Sequence, residues 1–340
     1  QTCALPIYYL RKWIEAMKNY TPDTETAYRA KYSQDYLRAH MALARALRTD
    51  VKAYREALAL FHNELREIPR VDPSVNNDVV RMVDESLAFF GGGNQKEGDV
   101  LRRYSGLALL RSYNAAANMN DREIERARTD LEAALAADPK DGEVAVGLVQ
   151  WWDRRGRELL ARQDVDGGNE ALAKSRQVLT EQLAANPEDP LLLLTEVAVF
   201  FGDKQNELRT LPDRAAREAG LAEVMKEGSA RLDRVAAAIG KMSMETVEAR
   251  LIDLLQTTEE RYEGPQVGMK RAEALYKRAL EARPADTRML MSLGVLMASR
   301  NEHEKAIDQM QRVADLKQQP LSFIGVRSEE RRVGKECRSR

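Results

Sequence analysis

One phrase recurs along this chain and limits what it can fold into. A small residue is followed by a large apolar one four positions later, a second small one three further on, and a closing proline. Ala272, Tyr276, Ala279 and Pro284 hold these places in the most complete copy. Ala127, Leu131, Ala134 and Pro139 repeat it at the same offsets. Ala57, Phe61 and Pro69 give a third copy, with Glu64 in the second small slot, and Ser175, Leu179 and Pro187 a weaker fourth, interrupted by Gln182. Residues seven apart share one face of a helix, so two small ones open a strip against which another helix closes to ~8–10 Å. The bulky residue between them fills the adjoining hollow. Proline cannot continue the helix and biases the residue before it out of helical geometry, which fixes where the chain turns.

Apolar residues recur at helical spacing almost everywhere, and no segment alternates in the manner of a strand. Aromatics make up only 6% of the chain, and Ala, Leu, Glu and Arg abound, a helix-forming composition. The spacing predicts helices over Tyr8–Asn19, Thr26–Arg48, Val51–Glu67, Asn77–Phe90, Val100–Asn118, Asp121–Ala137, Gly142–Gln163 and Asn169–Ala185. Beyond Pro190 it predicts Leu191–Gly202, Asp213–Lys241, Glu245–Tyr262, Met269–Ala282, Thr287–Arg300 and Glu302–Lys317. No long linker separates these elements, so the expectation is one continuous array of antiparallel neighbours joined by short turns.

The partner of the phrase-bearing helix is clearest after Pro284. Leu290, Leu293, Gly294 and Met297 form an apolar face, and Gly294 lies twelve residues before Ala306. This stretch resembles the tetratricopeptide repeat, a helix–turn–helix of about 34 residues. Thr287–Gln319 matches that pattern at Leu290, Leu293, Gly294, Ala306 and Met310, with Val313 where a second alanine is usual. With the recurring phrase, the likeness covers about half the chain, its clearest units near 121–139, 142–187, 269–284 and 287–320. The resemblance implies an all-α fold, a right-handed α-solenoid of antiparallel helix pairs over residues 8–326. The spacing of the closing prolines is irregular, and Lys204–Met242 reads as inserted or eroded.

Both ends are set apart from this array. Gln1–Ile7 and Arg327–Arg340 are similar to translated sequencing-adapter DNA, and such scars are excluded from fold reasoning. On that reading the natural chain continues past both ends, and the compartment, cytoplasmic or periplasmic, stays open. A basic nucleic-acid patch is the competing reading of the last fourteen residues. The only cysteines, Cys3 and Cys337, fall in these two strings, so no disulfide framework, thiolate nucleophile or Cys-ligated zinc is expected within residues 8–326.

Setting the ends aside removes six basic and three acidic residues from totals of 53 and 54, leaving 47 and 51 and a net charge of −4. A mildly acidic, well-mixed chain argues against a nucleic-acid partner, for which basic residues should dominate. The longest apolar run, Leu191–Phe201, is broken by Thr195 and Glu196 and falls short of the ~20 residues that span a bilayer.

The residues that could carry chemistry form no convergent set. His40, His62 and His303 are scattered, and Ile307 stands where a zinc-protease helix beginning His303-Glu304 would place its second ligand. The glycine loop Gly91–Gly98 follows a helix rather than a strand, with no Lys-Ser/Thr after it, and reads as a helix–helix turn. Asp164–Gly168 likewise reads as a turn, since Asn169 and Ser175 stand where a calcium loop needs glycine and glutamate. The pair Glu125–Arg128 reads as a solvated helix face. Trp151 and Trp152 point roughly 100° apart on a helix, so one belongs to the core and the other is a candidate for a binding face. No cofactor or metal site is expected.

A protein-binding scaffold follows from the family resemblance. Stacked helix pairs curve, and the inner face, built from the first helix of each pair, becomes a groove for a protein or extended peptide. In the last repeat that face holds Arg288, Met291, Val295, Ala298 and Ser299; in the pair beginning near Gly142 it holds Glu143, Val146, Gln150, Asp153 and Arg154. The alternative is the non-catalytic helical arm of a larger enzyme. An all-helical enzyme within these residues lacks a nucleophile, base and oxyanion donors that converge.

Overall fold

The computed structural model describes residues 73–90, 95–115, 119–211 and 213–317. Every regular element among them is an α-helix: α1 Pro73–Phe90, α2 Gln95–Asn114, α3 Asp121–Ala137, α4 Gly142–Ala161, α5 Val165–Ala185, α6 Pro190–Thr210, α7 Arg214–Lys241, α8 Ala249–Tyr262, α9 Pro265–Ala282, α10 Thr287–Ser299 and α11 His303–Lys317. Ala57, Phe61, Pro69, His40, His62, both terminal strings and residues 91–94 of the glycine loop lie outside the described residues.

The chain divides into two compact units, with the break in sequence after Ala185. In the first, α1 packs on α2, α2 on α3 and α4 on α5, while α4 also touches both α2 and α3. In the second, the pairs are α6–α7, α8–α9 and α10–α11, and the first helices touch in succession, α6 to α8 and α8 to α10. Within each unit this is the stacked-pair architecture of a helical solenoid.

The phrase residues sit where their sizes require. Ala127, Leu131 and Ala134 are buried on α3, and Ala272, Tyr276 and Ala279 on α9. Full burial of a side chain such as Leu131 is worth about 1.5–3 kcal/mol. Leu290, Leu293 and Gly294 on α10 face Ala306 and Met310 on α11; all five are buried. Gly294 leaves the space that the Met310 side chain occupies, since a β-carbon there would stand 2.8 Å from its Cε.

Three of the four closing prolines belong to a longer signal. Pro139-Lys-Asp141, Pro187-Glu-Asp189 and Pro284-Ala-Asp286 share the form Pro-x-Asp, and each aspartate caps the next first helix. Asp141 accepts from the Val144 amide at 3.1 Å, Asp189 from Leu191 and Leu192 at 2.9 and 3.0 Å, and Asp286 from Arg288 and Met289 at 3.0 and 3.1 Å. These bonds satisfy amide groups that the helix itself leaves without partners. Asn120 and Glu123 close a reciprocal capping box at the start of α3. Two first helices end alike: Gln163 after α4 and Asn301 after α10 take left-handed backbone (φ 67° and 62°), and the next amides bond back to the Leu159 and Met297 carbonyls.

Several boundaries differ from the periodicity. Asp164–Gly168 is not a turn: α5 begins at Val165, and Gly167 and Gly168 lie in its first turn, Gly167 against the Asp164 side chain and Gly168 where α4 crosses too closely for a side chain. Gln95–Gly98 belong to α2 rather than to a loop, and α2 stops at Asn114. Lys204–Met242, expected to be inserted or eroded, is mostly regular helix. Lys204–Thr210 completes α6, and α7, 28 residues long, packs along it. Gly228 on α7 makes room for Phe201, whose ring stacks on Tyr262 of α8 at 3.6 Å. The α8 helix starts at Ala249 rather than Glu245, after a turn in which Thr246 and Val247 amides bond to the Ser243 carbonyl.

Candidate functional site

Two surfaces and one buried cluster stand out from the helical frame. The first surface is the side of the first helices turned away from their partners. On α4 the residues Val144, Ala145, Leu148 and Trp151 are buried, and Glu143, Val146, Gln150, Asp153 and Arg154 fall on the other side. Gln150 is exposed. The charged members are engaged by the chain itself. Glu143 accepts from Arg103 Nη2 at 2.7 Å, and the Nε of the same arginine reaches Asp141 at 2.5 Å. Asp153 pairs with Arg157 at 2.9 Å. The Arg154 guanidinium lies 4.5 Å from the Tyr113 ring centre and donates to the Asn114 carbonyl at 3.2 Å. Tyr113 in turn donates to Glu158 at 2.6 Å, and burial together with that carboxylate raises its phenol above the ordinary tyrosine range.

On α10 the same side carries Arg288, Met291, Val295 and Ser299, all exposed, with Ala298 half-buried. Met291 keeps 38% and Val295 60% of its surface in solvent, although the opposite side of this helix is fully packed. The Ser299 hydroxyl turns back to the Leu296 carbonyl at 2.8 Å. At the α8–α10 contact, Ser292 and the buried Tyr276 of α9 both donate to Asp253. The α4 and α10 sets belong to different units.

The second surface is a groove of about 580 Å³ on the first unit, floored by Trp152 and walled by α3 and α5. The two indoles meet edge to face, 4.8 Å between centres at 88°. Trp151 is buried and donates Nε1–H to the Ile124 carbonyl at 2.8 Å, whereas Trp152 is half-buried, packs against the same core and opens into the groove. Arg128 from α3 stands 5.7 Å from the Trp152 ring centre and Lys174 from α5 4.9 Å, within reach of a cation–π attraction. Arg128 also pairs with Glu125 at 3.0 Å and Glu132 at 2.8 Å, and Lys174 with Glu170 at 3.0 Å. The pair Glu125–Arg128 is therefore part of a groove wall rather than a plain solvated face. The repeat of Glu125, Arg128 and Glu132 along one helical stripe is visible in the sequence; the stripe's position beside Trp152 is not.

The buried cluster lies in the second unit. Glu259 has no exposed surface; Oε1 accepts from Arg271 Nη1 at 2.5 Å, and Oε2 has no hydrogen-bond partner among the described residues. Arg271 also pairs with Asp233 at 2.7 Å. Burial pushes the Glu259 carboxyl up to about 7, against the pull of Arg271 and with a further push from Glu263. Its spacing, seven residues after Ile252 and four after Leu255, puts Glu259 on the buried face of α8; its residue type is what conceals this, because glutamate normally faces water. His303 is exposed at the start of α11. Among the described residues, no three His, Cys, Asp or Glu side chains gather so as to hold a metal ion, and no helix is long and apolar enough to cross a membrane.

Residues 270–320 match the family model of the tetratricopeptide repeat. That stretch contains most of α9, all of α10 and α11, and the phrase from Ala272 to Pro284. No curated protein matches the sequence. Among solved structures, yeast Tom70 is similar at 12% identity and a TM-score of 0.44, over 96% of this chain and 58% of that one. A thermophilic tetratricopeptide protein of Thermus thermophilus is similar at 16% identity and 0.32, over 65% and 94%. The human IFIT1 dimer solved with PPP-AAAA follows at 11% and 0.30, over 83% and 62%. This chain thus spans less than two thirds of the Tom70 and IFIT1 chains. Likenesses at these scores carry no argument about partner or activity.

Proposed function

We propose that this chain is a non-catalytic scaffold that binds another protein, and that the first-helix side of α10 is one of its contact surfaces. The observation that carries this reading is the exposure of Met291 and Val295 within the stretch that matches the tetratricopeptide repeat. Helix pairs of this kind present their first helices as an extended binding face. Large apolar side chains left in water between polar neighbours, here Arg288 and Ser299, are a common mark of a contact surface. The engaged charges of α4 make that helix the weaker candidate, with Gln150 its one fully exposed contact.

A photo-reactive residue placed at Val295, and in a second chain at Lys305 on α11, tests the proposal in lysate of the source organism. The expected result is a specific protein cross-linked from position 295 and not from 305. The pair Met291→Glu and Val295→Glu should weaken capture of that protein about tenfold or more, while circular dichroism stays unchanged. Equal cross-linking from both positions, or capture unaffected by the pair, would overturn the reading.

A further inference from the structure

The groove over Trp152 has a charge arrangement with a direction. In its ion pairs the carboxylate is always more exposed than the cation that holds it. Arg128 keeps 27% of its side chain in solvent against 46% for Glu125 and 41% for Glu132. Lys174 keeps 45% against 69% for Glu170. On the α5 wall, Glu181 is also exposed and accepts from Gln177 at 2.8 Å. The cations are drawn inward to the indole, and the carboxylates are left at the mouth. Arg155, the third cation of the lining, is turned toward Asp121 and Glu158, so the groove holds four carboxylates, Glu125, Glu132, Glu170 and Glu181, against three cations. An approaching chain meets the negative end first, and charges at the rim act across about 10 Å at 0.1 M salt. Behind that rim lies an apolar floor, the Trp152 ring with Leu159, Ala171 and Val178.

The geometry points to a docking site for a basic segment of a partner protein, one apolar or aromatic side chain seated on Trp152 and lysines or arginines on either side of it meeting the rim glutamates. Complementary charge selects this occupant over an acidic or neutral one. The volume lies in the range of sites that enclose a small ligand or a few side chains. The span follows from helix rise: Glu125 to Glu132 covers about 10 Å of α3, and Glu170 to Glu181 about 16 Å of α5. An extended segment covers those distances in about three to five residues. The site is built from α3, α4 and α5 of the first unit, whereas α10 belongs to the second, and it does not depend on the α10 surface being a binding face.

The test uses the full chain and a fluorescein-labelled peptide with two lysines on each side of a central phenylalanine. Two companion peptides carry glutamates in place of the lysines, or alanine in place of the phenylalanine. Fluorescence anisotropy should show binding of the first peptide, weakening as salt rises from about 0.05 to about 0.3 M, and none of the glutamate peptide. Glu132→Lys with Glu181→Lys, at a half-buried and an exposed position, should weaken binding about tenfold or more. Glu218→Lys with Glu304→Lys, the same charge change in the second unit, should alter it less than about twofold. Trp152→Ala should erase the advantage of phenylalanine over alanine in the peptide, a coupling that bulk charge cannot produce. The lysine pair keeps the test decisive if Trp152→Ala does not fold. No binding of the lysine peptide, equal binding of the glutamate peptide, equal loss in both lysine pairs, or a phenylalanine advantage that survives Trp152→Ala would overturn the assignment.

Discussion

Gly156 and Gly168 mark the point where α4 and α5 cross backbone to backbone. A β-carbon on Gly156 would stand 2.9 Å from the Gly168 carbonyl oxygen, and one on Gly168 would stand 3.0 Å from the Gly156 carbonyl oxygen. The twelve-residue interval between them equals that between Gly294 and Ala306 in the last repeat. The helices of the last repeat cross at the same interval, but there a β-carbon on Gly294 would meet the Met310 and Gln309 side chains rather than backbone.

Alanine at either glycine of the first crossing should destabilise the chain. Alanine favours a helix over glycine by about 1 kcal/mol, but overpacking against rigid backbone costs about 1–3 kcal/mol. The net expectation for Gly156→Ala or Gly168→Ala is a lower urea midpoint. Gly202→Ala on α6 should do the opposite and stabilise by about 0.5–1 kcal/mol, since nothing stands within 4 Å of its added carbon. A lower midpoint for Gly202→Ala, or a higher one at the crossing, would refute this account of the contacts.

The second crossing should be more forgiving. The nearest atom to a β-carbon on Gly294 is the terminal methyl of Met310, which can swing aside, so Gly294→Ala should cost less than Gly156→Ala. Phenylalanine at Gly294 or Ala306 exceeds any such adjustment and should cost ~1–3 kcal/mol or more. Hydrogen exchange should show the loss of protection concentrated in α10, α11 and the adjoining α9, because stacked pairs transmit stability through neighbouring contacts.

The Pro-x-Asp caps should behave as a set. Replacing Asp141, Asp189 or Asp286 with alanine leaves first-turn amides without their acceptor, at about 0.5–2 kcal/mol each. Asp141→Ala should be the most costly, because Asp141 also accepts from Arg103, which is tied in turn to Glu143. Serine at the same positions should recover most of the loss in urea titrations; failure to do so at Asp189 or Asp286 would argue against capping as their role.

Glu259 should give the stability a pH dependence. Its carboxyl is raised to about 7, so between about pH 4.5 and 7 the folded chain holds a proton that the unfolded chain has lost. Stability then falls as pH rises through that window, because the native state binds more protons. Glu259→Gln keeps an acceptor for Arg271, which also retains Asp233, and should flatten this slope and raise the urea midpoint at pH 8. An unchanged slope between pH 5 and 8 would mean that Glu259 does not carry the effect.

Much of the frame is legible in local sequence. The offsets of Ala127, Leu131 and Ala134 identify a buried strip because helical geometry alone places those residues on one face, and any neighbouring helix will use it. The Pro-x-Asp signal is equally local: its three copies stand in plain view, and only the proline half is used when periodicity alone is followed. The start of α5 is harder. Gly167 and Gly168 carry a strong turn signal, yet the Gly167 amide is capped by Asp164, and Gly168 is a glycine because α4, a contact outside the segment, passes against it.

By itself the sequence determined an all-helical chain, its small-residue contact strips and the turns marked by Pro139, Pro187 and Pro284, since each depends on residues within a few turns of one another. Tertiary structure alone decided which polar side chains remain available. Arg154 and Glu143 look as free in sequence as Gln150, yet Arg154 is held against Tyr113 and Asn114 and Glu143 by Arg103, all on α2. Trp152 opens into a groove, and Glu259 is shut away beside Arg271, for the same reason. The environment of a charge or a ring is set by helices that pack against it from elsewhere in the chain, and helical periodicity reports only which side of its own helix a residue occupies.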